Sequence, residues 1–208
     1  VVCGLLIVSV FVLTGPVIAR NEAAALQRAV FQVLPGAVER ASFTLGADQR
    51  FHGAKEGDAT RDQVHAGYDA DGRLVGVAIE AQGMGYQDVI RVLYGYAPDR
   101  QAIVGMHVLA SKETPGLGDK IEKDPAFRAN FEALDVTISA NGQSLQRPIE
   151  AVKSGAKTLP SQVDGITGAT ISSKAIATIL RNSSARWVPL VYRLRAELEQ
   201  TGGVDAGQ

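Results

Sequence analysis

Between Val64 and Leu109 the chain reads as strand, turn, strand, twice over. Val64 to Tyr68 and Leu74 to Ala81 flank Asp69-Ala70-Asp71-Gly72, and an Asp-Gly step suits a tight turn with positive φ. Val89 to Tyr96 and Ala102 to Leu109 flank Ala97-Pro98-Asp99-Arg100 in the same way. The return strands look alike, Leu74-Val75-Gly76-Val77 beside Ile103-Val104-Gly105-Met106, which predicts two stacked hairpins, although the repeat is too weak to establish duplication. Hairpins commit the middle of the chain to sheet, and helical periodicity appears on both sides of them.

The first segment has a different character. Val1 to Ala19 contains no charged residue and is almost wholly apolar, ending at Arg20-Asn21-Glu22. A membrane helix needs about 20 apolar residues, so residues 1–19 read as a single N-terminal transmembrane anchor. The competing reading is a cleaved leader, since Pro16-Val17-Ile18-Ala19 also fits a signal-peptidase site; length favours the anchor. The Gly15-Pro16 pair would mark the end of that helix. The chain opens on Val1 and reads as a partial form, so the flank whose charge would orient the span is missing. Residues 20–38 read as a juxtamembrane helix that Pro35-Gly36 stops, with Leu26, Ala29, Val30 and Val33 on one side. Phe43 to Asp62 is polar and glycine-spotted, with no assignable element.

Charge and cysteine usage remove several function classes. With 21 Lys+Arg against 22 Asp+Glu there is no electrostatic case for a nucleic-acid partner. The single cysteine, Cys3, excludes an internal disulfide framework and an iron–sulfur site built by this chain alone. His52, His65 and His107 share no metal-ligand spacing and read as structural or surface residues, so no metal site is expected.

Two stretches carry candidate chemistry. Asp164-Gly165-Ile166-Thr167-Gly168-Ala169-Thr170 is a polar, glycine-punctuated loop that runs into a helix, because Ile171, Ala175, Ile176, Ile179 and Leu180 share one helical face. Thr170 falls at or next to the N-cap, where backbone N–H groups lack partners and an anion is favoured. Read alone, the threonines simply cap a helix. The second stretch is Ser111 to Glu122. Pro115-Gly116 suits a type II turn, Asp119-x-x-Glu122 looks like a helix-start box, and Asp124-Pro125 offers another cap ahead of the buried face Phe127, Phe131, Leu134. Turn chemistry leaves Glu113-Thr114 beside Leu117-Gly118 unexplained. Between the hairpins, Gly83-Met84-Gly85-Tyr86 is either a sheet connection or a loop that approaches a flat aromatic ligand.

Together, Asp164-x-x-Thr167-Gly168-Ala169-Thr170 and Glu113-Thr114-Pro115-Gly116-Leu117-Gly118 resemble the two motifs, in order, of the covalent FMN-binding domain family. That family is found in RnfG of Rnf electron-transport complexes and in the C subunit of the sodium-pumping NADH:quinone reductase. The continuation Asp119-Lys120-Ile121 is similar to the Rnf form. The resemblance implies that a flavin transferase attaches FMN to Thr170 through a phosphodiester, with Asp164 read by the transferase. It implies that Thr167, Gly168, Ala169 and Ser172 contact the phosphate, and that Glu113, Thr114, Leu117, Gly118 and Tyr86 border the ring. It further implies an electron-carrying subunit of a translocase, with no catalytic acid–base pair and no complete reaction of its own. Its partners would be the other subunits of a ferredoxin:NAD+ oxidoreductase coupled to Na+ or H+ translocation. The fold class it implies is α+β: residues 39–200 would form an FMN-binding domain of β-hairpins in a mixed sheet, flanked by helices, on the periplasmic face of a bacterial inner membrane.

The remaining sequence adds a strand at Val136 to Ser139, a turn at Asn141-Gly142 and a weaker strand around Arg147 to Val152. Asn182-Ser183-Ser184 and Pro189 are expected to break the motif helix before a second, charged helix from Tyr192 to Glu199, with Trp187 as a packing anchor. Residues 201–208 read as a flexible tail. Three alternatives stay open at this stage: the quinone-reductase C subunit, a membrane-anchored FMN redox sensor, and a non-redox interaction domain in which Thr170 is only a helix cap.

Overall fold

The structure, a computed structural model, describes residues 2–54 and 62–201, apart from the side chains of 2–9, 11–12, 16–20, 22 and 201. In chain order its elements are helix α1 (Val2–Val33), strands β1 (Glu39–Leu45), β2 (Phe51–Gly53), β3 (Gln63–Tyr68), β4 (Leu74–Met84), β5 (Val89–Ala97) and β6 (Ala102–Ala110), helices α2 (Lys120–Lys123) and α3 (Pro125–Ala129), strands β7 (Leu134–Asp135), β8 (Glu150–Val152) and β9 (Gln162–Asp164), and helix α4 (Thr170–Thr201). The α+β class holds.

The sheet is not mixed and the hairpins are not stacked. Seven strands pair in the order β2-β1-β3-β4-β5-β6-β7, and every pairing is antiparallel. The two expected hairpins lie side by side, because β4 runs on past Ala81 to Met84 and pairs with β5 through Gly83↔Ile90 and Met84↔Val89. The Gly85 N–H to Asp88 carbonyl bond (2.9 Å) closes that third turn. Among the described residues, parallel pairing occurs only in the separate two-stranded β8–β9 unit.

Successive side chains of a strand point to opposite faces, and here both faces are apolar. On one face Val92, Tyr94 and Tyr96 of β5 join Val77 and Ile79 of β4 and pack against Ile176, Leu180, Trp187 and Val191 of α4. On the other, Ala78, Leu93, Ala102 and Val104 receive Ala29, Val30 and Val33 of α1 and the adjoining Leu34. The α1 end sits flush on the strands because the sheet offers glycine there: a Cβ on Gly95 would lie 2.0 Å from the Val33 carbonyl oxygen, and one on Gly105 2.6 Å from Val33 Cα.

Several expectations change at this level. One continuous helix, Val2–Val33, runs through Gly15-Pro16 where a boundary was expected, and the chain turns at Pro35-Gly36, with Gly36 at φ +98°. Among the described residues no helix is long and apolar enough to cross a membrane, and most side chains of the expected 1–19 anchor lie outside them. The tail, 202–208, also lies outside the described residues. The stretch read as unassignable contributes the end of β1 and all of β2, which pair with each other, and β1 also pairs with β3. The expected Val136 to Ser139 strand reduces to an Ile138↔Leu145 bridge, and the short β7 ends just before it at Asp135. Nor does α4 break in two. Pro189 withdraws one helical N–H, but Trp187, Val188, Val191 and Leu198 are buried on the same face, and that burial outweighs the missing bond. Tyr68 Oη donates to the Leu198 carbonyl at 2.7 Å and secures the far end.

Candidate functional site

The loop into α4 is fixed from below by one amide. Asn130 Oδ1 accepts the Asp164 N–H at 3.0 Å and its Nδ2 donates to the Asp164 carbonyl at 3.2 Å. The Gly165 N–H continues to the Val152 carbonyl at 3.0 Å, and Ile166 and Ala169 are buried, so the intervening turn pushes Thr167 and Gly168 outward. Gly168 has φ +84°, a left-handed conformation that glycine adopts without strain. The first regular bond of the helix runs from Ser173 N to the Ala169 carbonyl at 2.9 Å. Thr170 is thus the first helical residue and not a capping side chain, and the N–H groups of Thr170, Ile171 and Ser172 precede the bonded ladder. The Thr170 side chain is exposed.

Facing this helix start is the Glu113 segment. Glu113 is 6 % exposed, and its carboxylate ties three stretches together. Oε1 accepts the N–H groups of Tyr86 (2.8 Å) and Gln87 (3.1 Å), while Oε2 accepts the Ser172 hydroxyl. Leu117 N–H bonds to the Thr114 carbonyl at 3.1 Å, closing the Pro115-Gly116 turn with Gly116 at φ +79°.

A cleft of about 360 Å³ opens between these segments, lined by Tyr86, Glu113, Thr114, Leu117, Gly118, Gly168, Ala169, Thr170, Ile171 and Ser172. Nine of the ten sequence-derived ring and phosphate residues therefore meet at one place, although the two segments are far apart in the chain. The tenth, Thr167, does not line this cleft. It lies with Asp164 on a second cleft of about 420 Å³ behind the turn, beside Lys120, Lys123, Asp124 and Ser154. There the Asp164 carboxylate accepts the N–H groups of Gly155 (3.0 Å) and Ala156 (3.3 Å), which gives this residue a structural task in its own loop. Lys157, bonded to Asn130 Oδ1 at 3.2 Å, has its ammonium pushed down by burial, against the opposing pull of Asp164. The expected helix-start box at Asp119 does not form: Asp119 pairs with Lys123 at 2.6 Å, whereas Asp124 does cap α3 through the Phe127 N–H at 3.1 Å.

The cleft suits a ligand with a flat apolar part and an anionic end. Tyr86, Leu117 and Ile171 are 62 %, 53 % and 56 % exposed, an unusual density of open apolar surface. Among the described residues the N–H groups of Thr170, Ile171 and Ser172 and the Thr170 hydroxyl have no hydrogen-bond partner, and a helix start favours an anion.

Residues 85–184 match the FMN-binding domain family. The G subunit of the ion-translocating oxidoreductase complex of Cereibacter sphaeroides is 36% identical over 188 residues, which cover 88% of this chain and 75% of that one. The chain belongs to the family of G subunits of ion-translocating oxidoreductase complexes. The corresponding G subunit of Methanosarcina acetivorans is 34% identical over 122 residues, and the match spans 57% of this chain and 55% of that relative. NqrC of Shewanella oneidensis shares the fold, with a TM-score of 0.66 at 18% identity over 85% of this chain and 99% of that one.

Three contributors to the region of the cleft carry no clear signal in the sequence. Ile171 lines the cleft as an exposed apolar residue, although the helical pattern assigns it to the buried face. Asn130 sits in the short helical region, with no local signal that it braces a loop 34 residues away. Lys120 was visible only as part of Asp119-Lys120-Ile121; a Cβ on Gly168 would find Lys120 Nζ at 3.8 Å and no other atom nearer than 4 Å. The histidines act locally: His65 is buried with Nδ1 2.9 Å from Ser42 Oγ, and His52 pairs with Asp48 at 3.0 Å.

Proposed function

We propose that the 360 Å³ cleft holds FMN joined through a phosphodiester to Thr170 Oγ, and that the chain relays electrons within an Rnf-type ferredoxin:NAD+ oxidoreductase coupled to Na+ or H+ translocation. One observation carries this reading: the exposed Thr170 hydroxyl stands at the start of α4 and opens onto the same cleft as Tyr86, Leu117 and Ile171. The flavin supplies the redox chemistry; the protein supplies position and electrostatics. Ala169, Gly168 and the first-turn N–H groups face the phosphate, and Thr114, Leu117, Gly118 and Tyr86 border the ring. Thr167 acts from the second cleft, at the back of the acceptor turn. Asp164, held by Asn130, keeps that turn in shape and offers the transferase a carboxylate on an accessible cleft.

Residues 1–19 are the inner-membrane anchor in this reading, supported by a run without a charged residue, and the flavin domain stands on the periplasmic side. The quinone-reductase C subunit fits less well: NqrC shares the fold at 18% identity, against 36% for the G subunit of Cereibacter sphaeroides.

The test is in-gel flavin fluorescence after denaturation, on chain produced together with an active flavin transferase. Wild type should fluoresce and Thr170→Ala should be dark. A dark wild type would exclude the covalent link and leave Thr170 as a helix-start residue or as one contact of a loosely bound flavin.

A further inference from the structure

Glu113 is more deeply buried than a ring-contacting side chain needs to be. Its three hydrogen-bond partners, the N–H groups of Tyr86 and Gln87 and the Ser172 hydroxyl, are arranged as donors, the pattern of an ionised carboxylate. Among the described residues no lysine or arginine lies within ion-pair distance of it. The nearest in sequence, Lys112, pairs with Asp88 at 2.7 Å. Room for the group is made by glycine on both sides: a Cβ on Gly85 would lie 2.4 Å from Oε1, and one on Gly118 2.6 Å from Oε2. The fold has therefore placed an acceptor-only group without a counter-cation in the wall of the cleft. A charge in such a low-dielectric setting acts far more strongly than the same charge in water.

We propose that Glu113 is the electrostatic positioning residue of the flavin cleft: its carboxylate binds the Tyr86 loop to the first turn of α4, and its fixed negative charge lowers the reduction potential of the bound flavin. This deepens the flavin reading and rests on it. Reduction adds electron density to the ring, and a neighbouring anion opposes that addition, so the oxidised form is favoured relative to a neutral site. The hydrogen bonds keep the charge in place at small cost. The same bonds set the spacing between the ring loop and the attachment point, so one residue governs both geometry and potential.

Two substitutions separate these roles. Glu113→Gln is nearly isosteric: it keeps an oxygen for the Tyr86 and Gln87 N–H groups and offers an amide to the Ser172 hydroxyl, but it removes the charge. Glu113→Asp keeps the charge and withdraws it by one methylene, which breaks the ties. The experiment is a spectroelectrochemical titration of the flavin-loaded full chain, with flavin content and melting temperature measured on the same samples. The expected result is a potential shifted upward in Glu113→Gln, while Glu113→Asp stays closer to wild type in potential but melts lower. A purely structural residue gives the reverse order, with Gln nearest wild type in both readouts, and a loaded Glu113→Gln with wild-type potential overturns the proposal. Where Glu113→Gln takes up no flavin, Ser172→Ala carries the test. Loss of a donor that offsets the carboxylate should shift the potential downward, and an unchanged potential overturns the proposal. A wild-type chain that never binds flavin overturns the cleft's assignment first, and this inference with it.

Discussion

His65 lies on β3 with 3 % of its surface exposed, its Nδ1 2.9 Å from Ser42 Oγ. Burial pushes its imidazole down to about 4, and the Arg40 guanidinium adds to the effect. The unfolded chain therefore takes up a proton at pH values where the folded chain refuses it. Stability should be full above about pH 6.5 and fall as the pH drops toward 4, by up to about 3 kcal/mol at roughly 1.4 kcal/mol per unit. Urea denaturation at pH 7.5 and pH 4.5 checks this: wild type should lose more stability between the two than His65→Gln, which carries no ionisable ring. The sequence placed His65 as a structural residue from the lack of partners at ligand spacing. It could not place Ser42 opposite, because the pairing of β1 with β3 was not legible.

At the level of elements, the glycines of the sheet matter as surfaces. Gly95→Ala would drive a methyl to 2.0 Å from the Val33 carbonyl oxygen, and backbone cannot yield as a flexible side chain can. It should cost about 1–3 kcal/mol and lower the urea midpoint clearly. Gly53→Ala, on edge strand β2 with nothing within 4 Å, should stay within about 0.5 kcal/mol of wild type in the same measurement. The four central strands were legible because alternation and turn residues agreed locally. Gly105 was legible only as a member of a pattern and Gly95 not at all, since their reason is a helix far upstream in the chain. Helix α4 shows the opposite limit. Asn182-Ser183-Ser184 and Pro189 are genuine breaker signals, yet Ser184 is buried and its hydroxyl turns back to the Arg181 carbonyl at 3.3 Å. Tertiary burial settled what local propensity left adverse.

For the whole molecule, the two helices make different claims on the sheet. A chain beginning at Ala23 retains Leu26, Ala29, Val30, Val33 and Leu34 on the sheet and should melt like the full chain. A chain beginning at Ala37 loses them all. At about 2 kcal/mol for each of Val30, Val33 and Leu34, it should be several kcal/mol less stable and prone to aggregate, measured by thermal unfolding and gel filtration. The candidate site was far more legible than the architecture around it. Its two motifs are short, contiguous and rich in residues with unusual backbone demands, whereas Asn130 and the β1–β2 pair work through contacts at long range.

Neighbouring residues on one strand, such as Leu93 and Tyr94, belong to different cores, one shared with α1 and the other with α4. Variation can therefore accumulate on the two sides at separate rates. A lineage that changes what its N-terminal helix must fit can rewrite the odd positions of β5 and leave the even ones untouched. The side of the sheet that carries α4 and the cleft at its start can thus be inherited whole while its mounting is redesigned.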